Sequence, residues 1–288
     1  MLTVAKPVKP LKDYPWFLRS EMVKCPDIPI GKGGYSKVYL GELRGISRVA
    51  VKILNPQECC PDISLHRETF IREIETWWRL KSHPNVCLVY CAGIMNWKWD
   101  GRESECFFIA AKYMKNGNCS EYSKGKPLEV KLKLLREVAL GMAHLHEQNI
   151  VHADLKPDNT LVDDNGCALV VDFGAAKTDN FDETIGNRAG TLSYIPPERF
   201  EEGAVTREAG DIFAFAITMY SILSEGRPYG SKDTSQILDA IVKGERPDIS
   251  RLTDIPEEVL NLLQRCWAHN PSDRPFFVEI AEILRPFA

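Results

Sequence analysis

At 288 residues the chain is longer than a usual single domain and short for two average ones, so one large domain or two closely joined lobes fit. Hydrophobic residues at 44% and charged residues at 26% exclude a disordered chain and are enough for a sizeable core. A formal net charge of −4 excludes nucleic-acid binding through the overall field, so an anionic ligand needs a dedicated pocket.

The first 26 residues carry four prolines and several lysines without a period, and read as a loosely docked extension. From Ile28 the pattern becomes strand-like. Ile30-Gly31-Lys32-Gly33-Gly34-Tyr35-Ser36 is a glycine-rich turn that leads into alternating Val38 and Leu40, and Arg48 to Leu54 is a second β-branched run, so a hairpin is expected. His66 to Leu80 carries Phe70, Ile74 and Trp77 at helical spacing and ends near His83-Pro84. Phe107 to Tyr113 is a further apolar strand, closed by the polar break Lys115-Asn116-Gly117-Asn118. Lys131 to His146 then places Leu134, Leu135, Val138, Met142 and Leu145 on one helical face. Short strands flank Asn165-Gly166, a long irregular stretch runs from Gly174 to Pro196, and Ala209–Leu223 and Pro256–Trp267 are helical by period. A β-rich first part with one helix thus precedes a mainly helical second part, an α+β order.

Nine cysteines are scattered without a C-x-x-C pair. Cys59 and Cys60 are adjacent, and Cys87 and Cys91 lie four apart without companion histidines, so free thiols in a reducing compartment outweigh a zinc site. The N-terminus lacks an apolar signal core and no run is long enough to span a bilayer. A cytoplasmic chain without membrane insertion is expected.

Two constellations carry chemistry. Glycines at 31 and 33 let backbone N–H groups approach phosphate oxygens, and Lys52, in Val49-Ala50-Val51-Lys52, brings a point charge beside that turn. Alone, such a turn is weak evidence, and Lys52 also reads as an ordinary exposed lysine. If Lys52 is buried it needs a counter-ion, for which Glu73 on the next helix is the natural partner. The second constellation is His152-Ala153-Asp154-Leu155-Lys156-Pro157-Asp158-Asn159, followed by Asp172-Phe173-Gly174. Two carboxylates and an amide between apolar flanks suit a site that binds magnesium through hard oxygens and keeps one carboxylate as a base.

In this order the motifs resemble a eukaryotic protein kinase domain of the serine/threonine type, in the tyrosine-kinase-like branch, with the match running from Ile30 to Leu284. The resemblance implies a bilobal fold: an extension over 1–26 and a kinase domain over 27–288, with a small β-rich lobe over 27–111, a linker over 112–117 and a larger helical lobe over 118–288. It implies ATP-dependent transfer of the γ-phosphate to Ser/Thr hydroxyls of protein substrates. Asp154 would accept the hydroxyl proton and Lys156 would neutralise the γ-phosphate. Lys52 would contact the α- and β-phosphates, held by Glu73, and Asn159 and Asp172 would coordinate Mg2+. A nucleotide pocket of Ile30, Gly31, Gly33, Gly34, Ser36, Val38, Ala50, Ala111, Lys112, Met114 and Leu161 follows from the same matching, with Ala111 at its back and the Met114 backbone facing adenine. Glu198 would pair with Arg274, and Asp211 would open the central helix of the large lobe. Glu73 is preferred to Glu75 because one turn beyond Glu73 is Trp77, whereas one turn beyond Glu75 is Arg79, costly to bury unpaired.

Three departures stand out. Ala153 replaces the arginine that precedes the catalytic aspartate, Ser36 replaces the third glycine of the turn, and Phe213 replaces a tryptophan. Without that arginine, a phosphate on Thr178, Thr184 or Ser193 lacks its usual receptor, so activity independent of phosphorylation there is expected, with control by a protein partner or the extension. The rival is a nucleotide-binding scaffold without catalysis. It is disfavoured because Lys52, Asp154 and Asp172 are all present.

Overall fold

The computed structural model describes residues 9–18, 23–26, 28–33, 36–43, 46–55, 63–80, 82–178, 192–201 and 207–288. The chain divides into two compact units: residues 1–79 with 88–113, and residues 80–87 with 114–288.

The first unit is built on a six-stranded sheet. Its strands are β1 (Val23–Lys24), β2 (Pro29–Lys32), β3 (Ser36–Leu43), β4 (Ile46–Leu54), β5 (Val89–Trp99) and β6 (Arg102–Lys112), and helix α1 (Ile63–Arg79) joins β4 to β5. The order is β1-β3-β4-β6-β5, with β2 also on β3. Alternation divides the sheet by face. Val49, Val51, Ile53, Phe108 and Ala110 build the apolar core with Tyr39, Cys91 and Met95, while Lys52 lies opposite both Val38 and Ile109, and Ala50 opposite both Leu40 and Ala111. Directly paired residues share a face, so Val38, Ala50, Lys52 and Ala111 form one surface.

Only the end of β6 was anticipated from the sequence, and β5 was not. The reason is visible in the turn that joins them, where Asp100 at φ 45° and Gly101 at φ 86° make a tight hairpin from two left-handed residues.

The extension is not loosely docked over its described part. Trp16 is 2% exposed. Its carbonyl accepts from Ala92 N at 2.9 Å and Leu18 N donates to Ala92 O at 2.9 Å, so the segment covers the open edge of β5. Farther on, β1 pairs with β3, and Leu18, Val23 and Cys25 pack on the sheet core. A residue with about 150–250 Å² of apolar ring area outweighs the neighbouring prolines and lysines that made the segment look solvated.

The second unit is helical, with α2 (Cys119–Ser123), α3 (Leu128–Glu147), α4 (Glu208–Ser224), α5 (Thr234–Val242), α6 (Glu257–Cys266) and α7 (Phe277–Leu284). Its short strands are β7 (Ile150–Val151), β8 (Thr160–Val162), β9 (Ala168–Val170) and β10 (Lys177–Thr178). In α4 every residue from Asp211 to Leu223 is buried, as expected of a helix that is apolar all round. Residues 80–87 belong to this unit through backbone bonds: Cys87 N donates to Val170 O and Val170 N to Asn85 O, each at 2.9 Å. The division falls between Tyr113 and Met114, within the stretch 112–117, and assigns the segment after α1 to the second unit. Among the described residues, no helix is long and apolar enough to cross a membrane.

Candidate active site

The residues singled out from the sequence fall into two groups, each internal to one unit. In the first unit, Lys52 Nζ donates to Glu73 Oε1 at 2.9 Å, with side-chain exposures of 18% and 7%. The pair works because β4 turns Lys52 out of the apolar core and α1 presents Glu73 among its buried positions. Glu75 instead meets Arg79 at 4.0 Å on the exposed side of the helix. Gly31 lies opposite Val38, and Gly33 N donates to Ser36 O at 2.8 Å, which closes the glycine turn. Ile30 is exposed, Ala111 is buried, and Lys112 ends β6 with its N–H donating to Leu88 O at 3.0 Å. Gly34 lies outside the described residues.

In the second unit, Asp154 is 7% exposed, and Lys156 Nζ donates to its Oδ2 at 2.8 Å. Asn159 Nδ2 reaches the same oxygen at 3.1 Å and the Asp154 carbonyl at 2.7 Å. Asn159 and Pro157 sit in a 3-10 turn that opens β8, where Leu161 is half-buried. His152 ties this loop to the next one. Its Nδ1 accepts from Asp154 N at 3.3 Å, which leaves the proton on Nε2 to donate to Val171 O at 3.0 Å. Val171 N in turn donates to Asn159 O at 3.0 Å, so Asp154, Asn159 and Asp172 are fixed to one framework.

That framework is strained, and the strain has a visible counterweight. Ala153 and Asp172 both hold φ at 63°, a region that costs a residue with a Cβ about 1–3 kcal/mol. Asp211, 1% exposed in the first turn of α4, accepts from His152 N and Ala153 N at 2.8 Å each and from His146 Nε2 at 2.9 Å. Hydrogen bonds to a charged acceptor are worth about 1.5–3 kcal/mol each, so one buried carboxylate offsets the cost of the left-handed alanine. Glu198 and Arg274 also pair, at 2.7 and 2.8 Å, with the Arg274 side chain fully buried beside Phe213.

Met114 is buried at the start of the second unit, and its carbonyl accepts from Gly117 N at 3.3 Å, so that oxygen already has a donor in the turn that follows. Thr184 lies outside the described residues, as does the side chain of Thr178. Ser193 is half-buried in a 3-10 turn, Leu192–Tyr194. Ala153 lines a cavity with Tyr194, Arg199, Arg207 and Asp211. None of the seven described cysteines is in a disulfide, and burial pushes the thiols of Cys91 and Cys106 up to about 11 and that of Cys119 up to about 12, so these three stay protonated.

A divalent ion fits the acidic group. Among the described residues, no cluster of three or more His, Cys, Asp or Glu side chains is placed to hold an ion alone. Asp172 and the Asn159 amide oxygen offer hard donors, a set suited to an ion that brings phosphate and water oxygens with it.

The chain belongs to the protein tyrosine and serine/threonine kinase family, whose model matches residues 27–284. It is 32% identical over 273 residues to a "Probable LIM domain-containing serine/threonine-protein kinase" of Dictyostelium discoideum, which covers 93% of this chain and 40% of that protein. It is 31% identical over 278 residues to receptor-interacting serine/threonine-protein kinase 1 of Homo sapiens, covering 90% of this chain and 40% of that one. A third relative, probable serine/threonine-protein kinase drkD of D. discoideum, is 33% identical over 264 residues, 88% of this chain and 19% of the relative. The chain thus spans 40% of the length of the first two relatives. Membership brings the bilobal fold, and the family implies ATP and a divalent metal ion.

Proposed function

We propose that the chain is an active serine/threonine kinase, with Asp154 as the base that orients an acceptor hydroxyl and takes its proton. The observation that carries this is the setting of Asp154, buried, bonded by Lys156 and Asn159, in a loop clamped from below by Asp211. A catalytic carboxylate needs a fixed direction more than an unusual pKa, because phosphoryl transfer depends chiefly on positioning and electrostatics.

In the mechanism, Lys156 is close enough to Asp154 to serve both the base and the charge on the transferring group. Lys52, aimed by Glu73, would hold the α- and β-phosphates over the glycine turn at Gly31 and Gly33. Asn159 and Asp172 would hold Mg2+, and Asn159 is oriented by the two bonds its nitrogen gives to Asp154. When bound, the ion supplies neutralisation of phosphate charge. The sheet face with Val38, Ala50 and Ala111, together with Ile30, would take adenine. Lys156, two residues after Asp154, favours Ser/Thr acceptors. The buried, protonated thiols of Cys91, Cys106 and Cys119 suit a reducing, cytoplasmic setting. With Ala153 in place of arginine, phosphorylation of Thr178, Thr184 or Ser193 is not required, and a variant with Ala at all three keeps its rate within about threefold.

The decisive test is Mg2+–ATP phosphotransfer to a generic protein acceptor with Asp154→Asn. The expected loss is about 10²–10⁴-fold in kcat, the range for removing a general base. Undiminished turnover refutes the assignment.

A further inference from the structure

Among the described residues of the first unit, Trp16 is the largest fully buried side chain, and the kinase machinery described so far makes no use of it. Its surroundings point at one element, α1. The Trp16 ring meets Phe70 edge-on at 5.9 Å, and Phe70 stacks on Phe107 of β6 at 4.4 Å, so three rings run from the extension through the helix to the sheet. One turn earlier, Arg67 Nη2 donates to the Lys9 carbonyl at 2.9 Å. One turn later on the same helix is Glu73, bonded to Lys52. Residues three apart lie on one side of a helix, so Arg67, Phe70 and Glu73 form a line: two contacts to the extension, then the contact to Lys52.

The seat of the extension is equally specific. Its backbone is bonded to both polar groups of Ala92 in β5, and Tyr14 stacks on Trp16 at 4.8 Å. The next residue, Gly93, is where the extension comes closest. A Cβ there would fall inside van der Waals contact of the Leu18 carbonyl oxygen and would press on the Phe108 ring. A glycine inside a strand marks such a close approach of another backbone.

We infer that residues 9–18 form a strap over the first unit, and that Trp16 is a positioning residue for the phosphotransfer proposed above. Through Phe70 it fixes α1 in the position that keeps Glu73 on Lys52. The inference rests on the kinase reading for its catalytic consequence, but not for its structural one. The strap acts through α1 alone, so its effect disappears once Glu73 can no longer hold Lys52.

The experiment uses the full chain with Trp16→Ala, Trp16→Phe and Gly93→Ala, each alone and combined with Glu73→Gln. Two quantities are read below the unfolding transition: kcat and KM for ATP, and amide hydrogen exchange in α1 compared with α3. Trp16→Ala is expected to lower kcat/KM by about five- to tenfold, no more than Glu73→Gln itself, and to speed exchange in α1 while α3 is unchanged. Trp16→Phe, which keeps an aromatic ring, is expected to stay within about threefold. In the Glu73→Gln background, Trp16→Ala is expected to cost less than twofold, because neighbours that act as one unit are not additive. Gly93→Ala, which displaces the strap at Leu18 without touching Trp16, repeats the pattern and stands in for Trp16→Ala if that variant does not fold. Unchanged exchange in α1, or equal losses in both backgrounds, overturns the inference. If wild type shows no transfer that depends on Asp154, the proposed function fails, while the exchange data still decide for or against the strap.

Discussion

Asp154 and Glu73 are buried to nearly the same degree, 7% and 8% exposed, yet the structure supports them differently. Asp154 stands in a loop tied to α4, a helix buried on every side, through a carboxylate that reaches up from its first turn. Glu73 stands on α1, which has exposed residues on its outer side and is held by a short segment from the chain's beginning. The difference teaches where variation is tolerated. The proposed base, Asp154, is built into the core of its unit. Glu73, the partner of Lys52, depends on packing at the rim, where a modest loss of contacts has local consequences.

Breaking the more rigid side gives the largest effect. Asp211→Ala leaves the N–H groups of His152 and Ala153 without their acceptor and Ala153 at φ 63° without support. Removing one member of a buried charged network costs about 3–5 kcal/mol. We expect that loss in urea denaturation, with phosphotransfer falling by more than about 10²-fold, as for loss of the base itself. A variant with wild-type stability and rate means that the strained loop holds its shape without the clamp.

The more yielding side gives a graded effect. Lys52→Met removes the proposed phosphate contact and leaves Glu73 buried without its lysine, so both rate and stability are expected to fall. Glu73→Gln keeps the lysine and a hydrogen-bonding group, so the loss is smaller, about tenfold, equivalent to about 1.4 kcal/mol in the transition state. The ratio of the two losses measures how much of the effect of Lys52 is aim rather than charge. Equal rates in wild type and both variants mean that the pair has no catalytic use.

The same contrast explains what was legible in the sequence. The loop around Asp154 is contiguous, so its acids and amide appeared together, and helices such as α3 showed a clean apolar face. The pairing of Lys52 with Glu73 spans 21 positions and needed only the choice between two glutamates, decided by what each places one turn on. The strap was hidden because its contacts are made by one tryptophan among prolines and lysines, and composition averages such a residue away. Its signals were Trp16 itself and Gly93, a glycine inside a strand that had not been recognised as one. The strand β5 was missed in turn because its hairpin is marked by Asp100-Gly101 amid charged residues, where a left-handed turn decides and hydrophobic periodicity does not. The clamp from Asp211 lies 57 residues from Asp154, a separation that no local pattern bridges, although the position was legible by resemblance.

The smallest expected effect concerns pH, and it separates the two units once more. Residues 80–87 are fastened to α3 partly by His83, whose ring stacks on His144 at 4.7 Å and whose Nδ1 accepts from Asn85 N at 3.1 Å. Burial first, and then the neighbouring His144, lower the pKa of His83 below its ordinary 6.5, with Glu147 working weakly in the other direction. The unfolded chain therefore binds this proton more readily than the folded one. The contribution of His83 to stability is complete above pH 6.5 and declines as the pH falls from there towards the lower folded value. Denaturation midpoints measured at pH 7.5 and pH 5.5 should show a fall that His83→Asn reduces, because asparagine can accept the same N–H without gaining charge. Hydrogen exchange should report the loosening in residues 80–87 and leave α1 unaffected at the same pH. A pH dependence untouched by His83→Asn would assign the titration to another group and leave the junction with α3 indifferent to acid.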